Sequence, residues 1–208
     1  MPAAAPMDFP ALLALAAALG WASGLRLYAV VFLLGMAGAL GWVTLPPGLA
    51  LLQTQPVLWV SGALLLVEFF ADKLPWLDSV WDALHVFIRI PAAAVLAGSV
   101  FGVDEATWAV LAALLGGGLS IAALSTKMTA RAVANTSPEP FSNWGLSLME
   151  DSLVVGMVWL ALQHPLWFAA ALVVVLALSL LVLVVLFRFL RAVLRRVCRL
   201  GGRAQAAS

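Results

Sequence analysis

Between Pro165 and Phe187 the chain runs for 23 residues without one charged side chain. A helix of about 20 apolar residues crosses the ~30 Å hydrocarbon core of a bilayer. A helix that is apolar all round either spans a membrane or hides in a large core. Composition decides between the two. Hydrophobic residues make up 64% of the 208 and charged residues 10%, with mean hydropathy +1.09, whereas soluble domains are about a quarter charged. The sequence therefore describes an all-α integral membrane protein.

Residues 1–187 read as a single polytopic membrane domain. Residues 188–208 read as a basic amphipathic tail, with six of the chain's 11 Lys and Arg residues. Arg188, Arg191, Arg195 and Arg199 fall on one side of that helix; Phe189, Val193, Val197 and Leu200 lie toward the other. By the positive-inside rule this end is cytoplasmic, in a multi-pass protein of the cell inner membrane, with anionic lipid as the tail's partner. A nucleic-acid partner is not expected, because the basic cluster continues directly from an apolar span. Cys198 is the only cysteine, which rules out an intramolecular disulfide. The opening MPAAAPMDFP lacks the basic region of a signal peptide, so the first apolar run is expected to be retained.

Taken in order, residues 9–42 are too many for one span and too few for two. Gly20, Ser23, Gly24 and Arg26 cluster at the middle. A kinked helix or a half-helix that re-enters fits them, as does a tilted helix whose Arg26 snorkels to an interface. Residues 43–55, with Pro46, Pro47 and Gly48, predict a loop. Residues 56–73 and 77–102 predict two spans, the second kinked at Pro91. Residues 103–105 form a polar turn with Asp104 as N-cap. Residues 105–136 again have a glycine-rich middle (Gly116 to Gly118), followed by Lys127 and Arg131. A loop over 135–140, a span over 143–162 and a tight turn at 163–165 lead into the last span.

The halves 9–102 and 105–187 repeat one order: a long broken segment with a cation, a span with an acid, then an apolar span. Arg26 aligns with Lys127 and Glu68 with Glu150. Three crossings per half would invert the second half, as in many transporters. This predicts six net crossings, a broken or re-entrant first helix in each half, and both termini inside. The loops at 43–55 and 163–165 would then face out and the one at Pro75 in.

The chemistry gathers in LLLVEFFADKLPWLDSVWDALHVFIRI, residues 64–90. Glu68 and Asp72 share a helix face; Asp78, Asp82, His85 and Arg89 form a stripe on the next helix. Ionisable groups in hydrocarbon are costly and mark functional sites by default. Glu68, Asp72, Asp82, His85, Glu150 and Asp151 are candidates to bind cations or relay protons. Arg26, Arg89, Lys127 and Arg131 would balance them or hold an anionic substrate. Asp78, Asp82 and His85 could hold a divalent cation, the one cofactor the residues suggest, with Glu68 or Asp72 completing the shell. Against that stands internal pairing with five bases: Lys73 and the four just named.

GLRLYA near the start, VEFFADKLPWLDSVWDALHVFIRIPAAA in the middle and NWGLSLMEDS late in the chain resemble an uncharacterised bacterial membrane family, the domain of unknown function 4126. The resemblance covers nearly the whole chain. It implies an integral membrane protein and brings no settled activity or catalytic residues. HExxH, GxSxG, Walker and dinucleotide motifs are missing. Three readings follow: a transporter or permease for an ion or small polar solute, a metal-dependent enzyme acting on a lipid headgroup, and a non-catalytic scaffold whose charges pair with one another. Each is compatible with a homo-oligomer.

Overall fold

The structure, a computed structural model, describes residues 7–74, 77–102, 105–135 and 140–205, and side chains only as far as Arg191, Pro140 and Leu190 excepted. Pro75, Asp104 and most of the 135–140 loop lie outside the described residues. Those described form six helices and no strand: α1 (Phe9–Ala39), α2 (Gln55–Ala71), α3 (Leu77–Ser99), α4 (Ala106–Ala134), α5 (Pro140–Gln163) and α6 (Pro165–Gln205). Five of them are long and apolar enough to cross a membrane; α2 joins them only together with the 3-10 helix before it.

α1 begins conventionally. Asp8 accepts a hydrogen bond from the Ala11 amide at 3.1 Å, and a proline sits in the first turn. Its middle is not helical: Arg26 has φ −144° and ψ 75°. The contacts on either side show what that residue does. Phe9 packs against Phe101 and Trp108, with ring centres 5.9 and 4.8 Å away. Beyond the break, Phe32 lies against Gly62, and Gly35 abuts Leu52 of a 3-10 helix, Pro47–Gln53. Gly48 of that 3-10 helix in turn abuts Ser99, two residues from Phe101. Both ends of α1 therefore lie at one end of the bundle, and Arg26 lies deep within it. The chain turns back at Arg26.

The region expected to be a loop, 43–55, holds that 3-10 helix, started by a proline at its first position. It meets α2 at a bend of 67°. α3 continues as one helix through Pro91. α4 is also uninterrupted, so its glycines do not mark a second break. They mark a close crossing instead. A Cβ at Gly20 would fall on the Cα of Gly116, and one at Gly24 would fall 2.5 Å from the Ser120 carbonyl oxygen. Only residues without bulk let α1 and α4 approach so closely.

α1 is the buried centre, with most of its residues inside the bundle. α6 lies at the other extreme. Leu166, Trp167, Val173 and Leu180 are exposed, as befits a helix that faces lipid. α6 then continues unbroken into the basic tail as far as Gln205.

Candidate functional site

The turn at Arg26 frees backbone groups in the protein interior, and buried polar groups need partners. Lys127, on α4, donates to the Leu25 carbonyl at 3.2 Å. Arg131, one turn further on, donates to the carbonyl of Asp72, the C-cap of α2, at 2.7 Å. Arg26 itself reaches α5, where it donates to Ser147 Oγ at 2.7 Å and to the Ser147 carbonyl at 3.3 Å. Lys127 and Arg131 thus serve backbone that helix geometry leaves open, and Arg26 ties the turn to α5.

The same cations gather the acids. Arg26 pairs with Asp72 at 2.5 Å, Asp151 at 3.0 Å and Glu150 at 3.8 Å. Lys127 lies 3.2 Å from Asp82, 3.3 Å from Asp72 and 3.6 Å from Glu150. Arg131 meets Glu150 at 3.2 Å, Asp72 at 3.3 Å and Asp78 at 3.5 Å. Arg89 bridges Glu68 at 2.5 Å and Asp82 at 2.7 Å. Five helices, α1 to α5, contribute to this single network. All of its members are buried except Asp151, whose side chain is 30% exposed.

Of the ten residues expected to bind an ion or substrate, nine come together here. His85 does not. Its Nδ1 lies 2.7 Å from the Trp81 carbonyl, and its ring stacks on Trp81 at 4.0 Å and meets Tyr28 edge-on at 5.7 Å. The expected metal stripe is likewise taken apart, Asp78 going to Arg131 and Asp82 to Arg89 and Lys127. Among the described residues no three His, Cys, Asp or Glu side chains are grouped to hold a metal. Lys73, counted among the balancing bases, turns away. Its ammonium donates to the Phe69 carbonyl at 3.3 Å and sits 2.8 Å from the Phe69 ring centre.

That departure changes the charge count. Among the described residues five buried carboxylates, Glu68, Asp72, Asp78, Asp82 and Glu150, face four buried cations, Arg26, Arg89, Lys127 and Arg131. Asp151 at the edge is a sixth acid. Three carboxylate oxygens, Glu68 Oε2, Asp72 Oδ1 and Asp82 Oδ2, are buried without a hydrogen-bond partner.

Two participants escaped the sequence reading. The Asn135 side-chain amide donates to both oxygens of Asp78 at 3.3 Å, and that of Asn143 donates to Asn135 Oδ1 at 2.7 Å. The signal was there. Asn135 continues the Lys127–Arg131 face by one turn, and Asn143 precedes Ser147 and Glu150 at helical spacing.

Two cavities touch the network. One of about 800 Å³ lies between α1, α4, α5 and α6, with Lys127 and Glu150 in its lining and otherwise mostly apolar walls. Another, of about 310 Å³, reaches Asp151 between α1, α2 and α5.

The model of one family, the domain of unknown function DUF4126, matches residues 13–186. The chain belongs to that family. No curated protein and no solved structure matches it. The match spans every member of the charge network, from Arg26 to Asp151.

Proposed function

We propose that this member of the DUF4126 family is a small permease in which a proton and a second cation share the buried carboxylates. The observation that carries this reading is the excess of acid. Four buried cations cannot neutralise five buried carboxylates, and an uncompensated charge in low dielectric is strongly disfavoured. A proton or another cation must make up the difference. Glu150 and Asp151 line cavities, whereas Glu68 is wholly buried. Ion pairs link Glu150 to Glu68 through Lys127, Asp82 and Arg89, so a cation held at Glu150 would redistribute these pairs and weaken the hold of Glu68 on a proton. Turned-back or broken helices around a charged site are a recurring feature of secondary transporters. The expected inverted repeat draws support from Arg26 and Lys127, which both contact Asp72 and Glu150; the uninterrupted α4 departs from it.

The test is flux in proteoliposomes holding a pH-sensitive dye. A sodium, potassium or organic-ammonium gradient should drive protein-dependent proton movement, and Glu68→Gln should abolish it. Absence of proton movement under all three gradients would overturn the proposal. A scaffold is the second reading, and one observation favours it: every cation of the network already has at least two carboxylate partners. Under that reading Glu68→Gln would alter stability alone.

A further inference from the structure

The cavity between α1, α4, α5 and α6 is a mismatch of walls and floor. Trp21, Leu25, Met149, Leu153, Leu178 and Val182 make it hydrocarbon-like, yet it ends on Lys127 and Glu150. Its volume of about 800 Å³ lies within the usual range for small-molecule sites, roughly 300–1,000 Å³. An apolar body with a polar head fits such a shape. The charged groups in the lining set the sign of that head.

Lys127 cannot supply attraction for an anion. Its three N–H donors already face four acceptors: Leu25 O, Asp72 Oδ2, Asp82 Oδ1 and Glu150 Oε2. Glu150 is differently placed. Arg26, Lys127 and Arg131 all make their closest approach to its Oε2, which leaves Oε1 the oxygen further from the cations. The lining therefore holds an acceptor, within a network that holds more acid than base. Trp21 borders the cavity without offering it a donor, because its Nε1 is buried.

We infer that this cavity binds a lipophilic cation, an amine or quaternary onium on an apolar body, with its charge toward Glu150. The inference rests on the permease reading and names its substrate class. It also places entry between α4, α5 and α6, from the hydrocarbon.

Tetraphenylphosphonium and tetraphenylborate, alike in shape and opposite in charge, separate the alternatives. Equilibrium dialysis of each against the full chain in nanodiscs, with empty nanodiscs subtracted, should give saturable 1:1 binding of the phosphonium alone. Glu150→Gln should weaken it at least tenfold. Gly145 lines the cavity and a Cβ there meets nothing within 4 Å, so Gly145→Leu should fill the site without disturbing the charge network, and should also weaken binding at least tenfold. Saturable borate binding would overturn the inference in favour of an anionic, lipid-like occupant. No saturable binding of either ion, or binding unchanged in both variants, would overturn it outright. Sodium- or potassium-driven proton flux without phosphonium binding would sink the substrate class and spare the permease; phosphonium binding without any flux would do the reverse.

Discussion

Glu68 is the acid with the least support. Asp72 and Glu150 each meet three cations of the network and Asp82 meets two. Asp78 and Asp151 meet one each, but Asp78 also accepts from Asn135 and the Ser79 amide and Asp151 is part-exposed, whereas Glu68 has Arg89 alone and shares it with Asp82. Its Oε2 has no hydrogen-bond partner. If any carboxyl in the network holds the compensating proton, geometry selects this one. Infrared difference spectra should then show the C=O stretch of a buried protonated carboxyl that disappears in Glu68→Gln. Arg89 supplies a stability test at the same place. Arg89→Gln takes from Asp82 the cation it shares with a protonated Glu68, and stranding one member of a buried pair costs about 3–5 kcal/mol. Melting in detergent should fall accordingly; Asp82→Asn added to Arg89→Gln should recover part of the loss, and Glu68→Gln added to it should not. Recovery with Glu68→Gln would show that Glu68 is ionised and is the stranded charge. The residues of this network were largely legible in the sequence, because a charge amid apolar neighbours is conspicuous. Their pairing was not. Lys73 was counted as a balancing base, yet its direction depends on a local contact with Phe69 that spacing does not encode.

At the scale of elements, one sequence signal carried two meanings. Glycines near the middle of a long apolar segment suggested a break in both halves. In α1 the break exists, and the 34-residue length of the apolar block was the clue, too long for one span and too short for two. In α4 the glycines serve contact. Gly116 admits α1, whereas Gly118 faces open space. Glycine is used both where the backbone must depart from the helix and where another backbone approaches, and composition does not separate the uses. Substitution does. Gly20→Leu forces α1 off α4 and should destabilise the bundle by about 1–3 kcal/mol or more, the usual cost of overpacking. Gly118→Ala should be neutral or stabilising, by up to about 1 kcal/mol, because alanine is the better helix former and nothing opposes its methyl group. Comparable losses of melting temperature in the two variants would mean that α1 and α4 do not cross at Gly20.

For the whole molecule, the reversal at Arg26 sets the topology. A straight α1 would carry Ala39 to the end of the bundle opposite Phe9, making six crossings with both termini on one side. The contacts of Phe9 with Phe101, of Gly35 with Leu52 and of Gly48 with Ser99 place both ends of α1 together. That arrangement predicts no net crossing from α1 and five from the remaining helices, with the 3-10 helix and α2 taken as one span. At the other end, Leu186 and Ala134 line one cavity, and Asn135 reaches Asp78 at the start of α3, so α6 leaves the bundle on the side where α2 turns into α3. By the positive-inside rule its arginines predict that this side is cytoplasmic. The expected outcome is an N-terminal end outside and a C-terminal end inside. Single cysteines in a Cys198→Ser background decide it with an impermeant thiol reagent. Positions 8 and 44 should react from outside, and position 74, where Leu74 is exposed, only after the reagent is admitted to the cytoplasmic face. Reaction at position 8 from the same side as position 74, with position 44 opposite, would restore six crossings and require α1 to run straight through Arg26. The buried network would then lose the turn that frees the Leu25 carbonyl for Lys127. Topology and site stand or fall together at that one residue.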